Sequence, residues 1–164
     1  MVKWNQLSSS IQTEKALLGT RTHPYSLKTQ YDLGLGWIIE NTDNTEIIAC
    51  MFLWSTPSPE WYEFGTGWTS PLHREKHLAS QVFRLCTEYV REQEISAFLL
   101  THHPRIIRLA ELTQWCEATR DTWSQIPWKA SCEPCDRWET NEEKLTCSFR
   151  ATSDCRLFFI TPPT

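Results

Sequence analysis

Apolar and polar positions follow a strand-like pattern through the middle of the chain. The runs 36–40 and 47–54 are apolar, and the stretch 41–45 between them is dense in turn-forming residues. This pattern predicts a β-hairpin. A further β-prone run at 61–69 ends at Ser70-Pro71, where proline restricts the residue before it and favours the start of a helix. The sequence therefore predicts three consecutive strands followed by a helix.

Helical spacing of apolar residues takes over after this point. A helix of about five turns is expected from the ~3.6-residue period, and its apolar positions are Leu78, Val82, Phe83, Leu85, Cys86, Tyr89 and Val90. The run 95–100 is a short apolar strand. A second helix is predicted to begin at His103-Pro104, and its buried side is expected to comprise Ile106, Ile107, Leu109, Ala110 and Leu112.

The remaining segments complete a mixed sheet. Residues 4–33 favour one or two short helices, 115–123 a strand, 124–141 an irregular polar segment and 156–160 a final strand. The order of elements indicates a mixed α/β (α+β) sheet in one domain over residues 1–164, with a cysteine-bearing segment at 124–155 before the last strand. The tryptophans expected on strands are Trp61, Trp68, Trp115 and Trp123. Large aromatic rings on strands usually fill the core. The alternative is that these rings line one wall of a binding site for a substrate.

Composition narrows the class of protein. The chain has 164 residues, enough for one well-buried domain. Its net charge of −4 without a long basic run argues against a nucleic-acid partner. We expect no membrane association, because no stretch approaches ~18 apolar residues and the N-terminus lacks a secretory signal. Cys50, Cys86 and Cys116 lie in apolar segments and are interpreted as reduced core residues, which favours the cytoplasm.

The strand-to-helix corner around Pro71 is the first candidate binding site. Backbone N–H groups converge at such a corner, and the helix dipole adds positive potential, so the corner suits a phosphate group. Arg74 and Lys76 lie in the same turn.

Two motifs at and beyond this corner resemble a known family. The run Pro71-Leu-His-Arg-Glu-Lys-His-Leu-Ala79 resembles the acetyl-CoA signature Pro-x-x-Arg-x-x-Gly-x-Gly/Ala of the GNAT superfamily of N-acetyltransferases, which closes that family's fourth strand. Arg74, Leu78 and Ala79 match, and His77 replaces the first glycine.

The second motif lies at 103–115 and is similar to the family's Asn-x-x-Ala-Ile-x-Leu-Tyr-Glu-x-x-Gly-Phe helix. The agreeing positions are Ile107, Leu109, Glu111 and Trp115, and the altered ones are His103 for asparagine, Ala110 for tyrosine and Gln114 for glycine. The resemblance covers about 36–123 and implies a GNAT-like acyl-CoA N-acyltransferase fold, with a central, mostly antiparallel sheet flanked by helices.

The resemblance also implies acetyl-CoA as co-substrate. Trp68 and Thr69 would line its pantetheine arm, and the diphosphate would be held by Arg74, Glu75, Lys76, His77, Leu78 and Ala79. Glycine at position 77 would permit a closer approach of the diphosphate. We expect a helical φ at His77, which needs no glycine; the alternative to a phosphate contact is a solvent-facing side chain.

Catalysis requires that an amine lose a proton before it attacks the thioester. Glu63 lies eight positions before Pro71, where similar proteins carry a general base; the alternative is an ordinary polar residue on the outer face of the strand. Ala110 cannot protonate the departing thiolate as the family's tyrosine does. His103 is a candidate substitute acid; the alternative is that it simply starts the second helix. Water could also protonate the sulfur, because a thiolate whose acid has a pKa of ~8.5 is a tolerable leaving group.

Four cysteines near the end of the chain form a separate candidate site. Cys132-Glu-Pro-Cys135, with Cys147 and Cys155, has knuckle-like spacing in its first pair, so a structural zinc is one interpretation. Reduced thiols are the other, and a redox Cys-x-x-Cys is disfavoured because the motif does not open a helix after a strand.

Three functions follow from these features. The first is an N-acetyltransferase that moves an acetyl group from acetyl-CoA to an amine, and the acidic net charge of −4 favours a cationic acceptor. The second is a catalytically degenerate GNAT-fold module that binds or regulates. The third is a small protein organised by zinc.

Overall fold

A computed structural model describes residues 2–3, 35–43, 46–128 and 155–163. The strands are β1 (Val2–Lys3), β2 (Leu35–Glu40), β3 (Ile47–Ser55), β4 (Trp61–Thr69), β5 (Ser96–Thr101), β6 (Cys116–Glu117) and β7 (Arg156–Ile160). The helices are a 3-10 helix (Pro71–Lys76), α1 (Leu78–Glu92), α2 (Pro104–Leu112) and α3 (Arg120–Trp123). The short helices expected within 4–33 and most of the segment 124–155 lie outside the described residues.

The strands form one sheet in the order β1-β2-β3-β4-β5-β7-β6. All neighbours are antiparallel except β4 and β5, which run parallel because α1 connects them. The expected mixed, mostly antiparallel sheet is therefore confirmed. Among the described residues, no helix combines the length and apolarity needed to cross a membrane.

Strand β3 is an interior strand between β2 and β4, and it is buried on both faces. Ala49, Met51 and Leu53 contribute to the same core as the buried side of α1, so we call their side of the sheet the helix face. Cys50, Phe52 and Trp54 alternate with them and point to the other side, which we call the aromatic face. A strand covered on both faces has no polar positions to alternate, which explains its continuous apolar run.

The helix face is closed by α1, α2 and Trp115, which lies three positions after the end of α2. The ring of Phe64 lies 4.8 Å from that of Phe83 and 5.0 Å from that of Trp115. The indole N–H of Trp115 donates to Thr87 Oγ1 at 3.2 Å, which satisfies both buried polar groups. The packing fixes both helices against β4 and β5, the strands that carry the candidate site.

Two predicted burials, those of Leu112 and Cys116, are wrong, and one apolar position of α1 is exposed. Leu112 is 55% exposed. An α-helix turns by ~100° per residue, so the side chain of Leu112 points about 110° away from the mean direction of the buried Leu109 and Ala110. Cys116 is exposed because it lies on the two-residue edge strand β6. Leu85 is 47% exposed on α1.

The strand predicted over 115–123 is also largely wrong. Its extended part is limited to Cys116–Glu117, because a capping box between Thr119 and Thr122 starts α3. Trp123 therefore lies on a helix, where its indole N–H donates to the carbonyl of Ala118 at 3.1 Å.

An ion-pair network joins β6 and β7 at this end of the sheet. Arg156 donates from Nε to Glu117 Oε1 at 2.7 Å and from Nη2 to Oε2 at 2.6 Å, and it also contacts Glu111 Oε1 at 3.2 Å. These hydrogen bonds lower the pKa of Glu117 below its ordinary value. The paired guanidinium holds the short strand β6 against β7.

Candidate functional site at the carboxyl ends of β4 and β5

The carboxyl ends of β4 and β5 lie at the same edge of the sheet, because the two strands are parallel. Their ladder consists of Trp61–Ser96, Tyr62–Ala97 and Glu63–Phe98. After Glu63, β4 pairs with β3 and no longer with β5. The two strands thus separate, and we call the opening after Glu63 the β4–β5 wedge. Open wedges at the carboxyl ends of parallel strands commonly bind ligands.

A β-bulge in β4 accounts for the wedge. Phe52 of β3 faces Gly65 whereas Cys50 faces Trp68, so Met51 stands opposite the two residues Thr66 and Gly67. Such a bulge bends the strand that carries the extra residue. Thr66 has a left-handed φ of 55°.

A buried hydrogen bond holds the bulge in place: Thr66 Oγ1 accepts from Trp54 Nε1 at 2.9 Å. Gly67 is exposed, and a Cβ at this position would lie 2.8 Å from Met51 Cε. Glycines within a strand often mark a bulge, so the pair in Gly65-Thr-Gly67 is a sequence signal that could have predicted this one.

The turn from β4 into α1 is built on the backbone. Ser70 N–H donates to the Ile48 carbonyl at 2.8 Å, and His73 N–H donates to the Ser70 carbonyl at 2.9 Å. The 3-10 helix then carries the basic side chains of His73, Arg74 and Lys76 in its last turn. The first N–H groups of α1 have no acceptor within that helix, and no side-chain cap supplies one. Amide donors, the helix dipole and cations therefore converge at this corner.

His77 stands between the 3-10 helix and α1 in a left-handed conformation, with φ 55° and ψ 21°. The expectation of a right-handed helical φ is therefore wrong, because a left-handed residue ends the 3-10 helix before α1 begins. Gln114, after α2, has a φ of 58°. At both positions the GNAT motifs carry glycine. The backbone here has the left-handed conformation that glycine adopts easily, although the residues are histidine and glutamine. Such a conformation costs a non-glycine residue about 1–2 kcal/mol.

Glu63 lies on the aromatic face and is 2% exposed, so it does not occupy a solvent-facing side of the strand. It stands between Trp54 of β3 and Phe98 of β5 in the sheet register. Gly65 and Trp68 share this face, because their partners Phe52 and Cys50 alternate with the residues of the helix face. The structure thus places Glu63 at the base of the wedge.

Two buried side-chain nitrogens within the described residues lack a hydrogen-bond partner, and both flank the same turn. They are Trp68 Nε1 and His73 Nδ1. Leaving a buried polar group unpaired costs about 1–3 kcal/mol, so such groups are rare and call for an explanation. Trp68 was expected to line the pantetheine arm, whereas His73 was not identified from the sequence, since a histidine in a turn gives no local signal of a ligand contact.

The other expected site residues occupy the turn and the second helix. Arg74, Glu75, Lys76 and His77 are exposed, Leu78 is buried, and Thr69 and Ala79 are half-buried. His103 is exposed and caps α2: its Nδ1 accepts from Arg105 N–H at 3.3 Å. Ala110 is fully buried in the core of the helix face and offers no proton donor.

Three of the expected zinc ligands, Cys132, Cys135 and Cys147, lie outside the described residues, and the fourth, Cys155, is half-buried just before β7. Within ranges 2–3, 35–43, 46–128 and 155–163, no group of three or more histidine, cysteine or acidic side chains could hold a metal ion.

No protein-family model and no curated protein matches the sequence. Several solved structures match the fold. A structure named as that of an acyl-CoA N-acyltransferase, from Klebsiella pneumoniae subsp. pneumoniae MGH 78578, has a TM-score of 0.54 at 12% sequence identity. The alignment covers 92% of this chain and 86% of that one. A structure named as that of a GNAT-family acetyltransferase, from Bacteroides thetaiotaomicron, has a TM-score of 0.51 at 13% sequence identity. The alignment covers 96% of this chain and 85% of that one.

A third similar structure is a chimera of the Vibrio cholerae spermidine N-acetyltransferase SpeG and hSSAT, with a TM-score of 0.50 at 12% identity over 84% of this chain and 70% of its own. At such identities the likeness establishes the architecture. The fold is that of the GNAT N-acetyltransferases, as the two sequence motifs indicated.

Proposed function

We propose that this protein is an N-acetyltransferase that transfers the acetyl group of acetyl-CoA to an amine. The observation that carries the proposal is the bulge-opened wedge between β4 and β5, which leads directly into a turn rich in amide donors and cations, within a GNAT-like fold. A long ligand with a phosphate group at one end and an amide-containing arm at the other suits this arrangement.

The diphosphate of the donor would bind at the corner between the 3-10 helix and α1. The amides of Leu78 and Ala79 begin α1, and Arg74 and Lys76 supply exposed positive charge. The arm would then follow β4 past Thr69 and Trp68 into the wedge. The imidazole of His77 narrows the approach to the corner, so we expect weaker donor binding than a glycine at this position would allow.

Glu63 would accept the proton of the attacking amine. The amine nitrogen attacks the thioester carbonyl carbon, the C–S bond breaks, and the sulfur leaves as a thiolate. Water would protonate that thiolate, because Ala110 carries no proton and Nδ1 of His103 is engaged in capping α2. A thiol pKa of ~8.5 makes this leaving group tolerable without a dedicated acid.

The state of the cysteines supports a reducing compartment such as the cytoplasm. The four described cysteines form no disulfide with one another, and burial raises the pKa of the Cys86 thiol, which keeps it protonated and unreactive.

Donor binding is tested by calorimetry with acetyl-CoA on the wild type, Arg74→Ala and the control Arg84→Ala, an exposed arginine farther along α1. We expect Arg74→Ala to weaken binding by about 1.5–3 kcal/mol, the value of a hydrogen bond to a charged group, and Arg84→Ala to leave it unchanged. Equal affinity of all three proteins would show that the corner does not hold the donor.

A second candidate function is a donor-binding module without turnover, and the buried Ala110 at the expected acid position favours it. Thiol release from acetyl-CoA across a panel of primary amines separates the two functions. Tight donor binding with no thiol release on any amine would select the binding module.

A further inference from the structure

A solvent-open cleft lies at the edge of the sheet opposite the corner between the 3-10 helix and α1. It encloses about 390 Å³ between residues 58–61, which lead from β3 into β4, and residues 124–127, which follow α3. Trp61 is the first residue of β4 and Thr69 the last, so the cleft is about 25 Å along the strand from the corner. We call it the Trp61 cleft. Its volume lies at the lower end of the range for small-molecule sites.

Hydrogen bonds fix the first wall of the Trp61 cleft. The hydroxyl oxygen of the buried Thr56 lies 2.8 Å from the carbonyl oxygens of Ser58 and Trp61, and it accepts from the Ser58 N–H at 3.1 Å. The Trp61 N–H donates to the Ser58 carbonyl at 3.0 Å. The turn is thereby tied to the start of β4, so this wall is preformed.

Two tryptophans hold the second wall. Trp123 Nε1 donates to the Ala118 carbonyl at 3.1 Å, and Trp128 Nε1 donates to the Trp123 carbonyl at 3.0 Å. Ile126 is buried and belongs with Trp128 and Phe98 to one core cluster on the aromatic face. Because both walls are held in place, a ligand can bind between them without ordering the chain, which lowers the free-energy cost of binding.

The charge of the Trp61 cleft identifies the class of ligand that it suits. Glu60 is exposed and supplies a negative charge, and none of the described residues that line the cleft is positively charged. Glu60 forms no ion pair or hydrogen bond with another described residue. Trp61 is half-buried, and the face of an indole ring attracts cations. A carboxylate beside an indole favours a cation over a neutral molecule or an anion.

We propose that the Trp61 cleft binds a small organic cation, with its charged nitrogen beside the Glu60 carboxylate and its apolar groups against the Trp61 ring. Ser58, Ser124 and Gln125 add polar groups to the walls, which suit a ligand that also carries a hydroxyl group. The proposal does not depend on acyl transfer, because the cleft includes neither the corner nor the β4–β5 wedge.

The test compares three molecules that share a bulky apolar head and differ in charge. Choline is the cation, 3,3-dimethylbutan-1-ol is its neutral isostere, and 3,3-dimethylbutanoate is the anion. The quaternary nitrogen of choline has no proton to lose, so choline is not an amine acceptor for the proposed reaction. Binding to the full chain without acetyl-CoA is followed by the 15N–1H resonance of the Trp61 indole, which Trp61→Phe identifies.

We expect choline to move the Trp61 resonance saturably and to bind about fivefold or more tightly than the neutral alcohol, with the anion weakest. Glu60→Gln should reduce this preference to about twofold. Glu88→Gln, which removes an exposed carboxylate from α1, should leave it unchanged. Ser124 is exposed, so Ser124→Phe can fill the cleft without disturbing the core, and it should weaken choline binding at least about tenfold.

Four results would overturn the proposal. The Trp61 resonance does not move at choline concentrations up to about 10 mM, the alcohol or the anion binds as tightly as choline, or Glu60→Gln retains the full preference for the cation. In the fourth, Ser124→Phe binds choline as the wild type does, which would place the cation elsewhere on the protein. Acetyl-CoA binding is measured separately, so none of these results bears on the donor site.

Discussion

Replacement of His77 by glycine separates the backbone conformation of the turn from the chemistry of the imidazole. His77 and Gln114 have nearly the same left-handed φ, 55° and 58°. Relief of left-handed strain contributes about 1–2 kcal/mol, and glycine's greater freedom in the unfolded chain offsets about 0.4–1 kcal/mol. We therefore expect His77→Gly and Gln114→Gly each to stabilise the fold by about 0.5–1 kcal/mol, a rise in Tm of about 1–4 °C for a chain of this size.

The two variants should differ in donor binding. Only His77 lies at the corner between the 3-10 helix and α1, whereas Gln114 follows α2, where Arg91 donates to its backbone carbonyl. His77→Gly should therefore bind acetyl-CoA more tightly by calorimetry, and Gln114→Gly should match the wild type. Urea unfolding supplies the stabilities. A His77→Gly protein that binds acetyl-CoA more weakly would refute the reasoning, because the imidazole would then be a ligand contact rather than an obstruction.

Two further predictions concern stability. Gly67→Ala should cost little, because the atom that its Cβ would meet at 2.8 Å is the flexible end of the Met51 side chain, which can turn aside; a loss of about 2 kcal/mol or more in urea unfolding would show that Met51 is fixed in place. Because hydrogen bonds from Arg156 lower the pKa of Glu117, the ion pair stabilises the fold at neutral pH and loses its effect as the pH falls through that lowered pKa. Glu117→Gln should thus cost at most about 1 kcal/mol at pH ~7, since the pair is partly exposed, and nothing at pH ~2; a difference independent of pH would exclude this origin.

The elements with a strong, unambiguous period were predictable from sequence. The bounds of β4 and β7 agree with the runs 61–69 and 156–160, because Pro71 ends one run and the other is continuously apolar. Trp123 shows where this reasoning fails. An aromatic residue favours a strand by type, but the local capping box at Thr119 and Thr122 starts a helix instead.

The candidate site was predictable in position but not in conformation. The motif at 71–79 located the strand-to-helix corner, which the structure places after β4. The left-handed φ of His77 could not be inferred from its residue type, because histidine gives no local signal for it. The shared face of Glu63, Gly65 and Trp68 depends on the extra residue in the bulge, since strict alternation from 63 would put position 68 on the helix face.

The altered glycine positions bear on binding strength more than on the existence of the site. The corner offers its amides through backbone geometry, and that geometry persists with histidine at position 77 and glutamine at position 114. Proton transfer depends on side chains instead, so the loss of a tyrosine at the buried position 110 has no backbone substitute. Under the proposed function, we therefore expect donor binding to be retained and turnover to be limited by thiolate departure. If that is so, acyl donors whose thiol has a lower pKa should react faster with the same amine, whereas a rate independent of the leaving group would place the slow step at amine attack or product release.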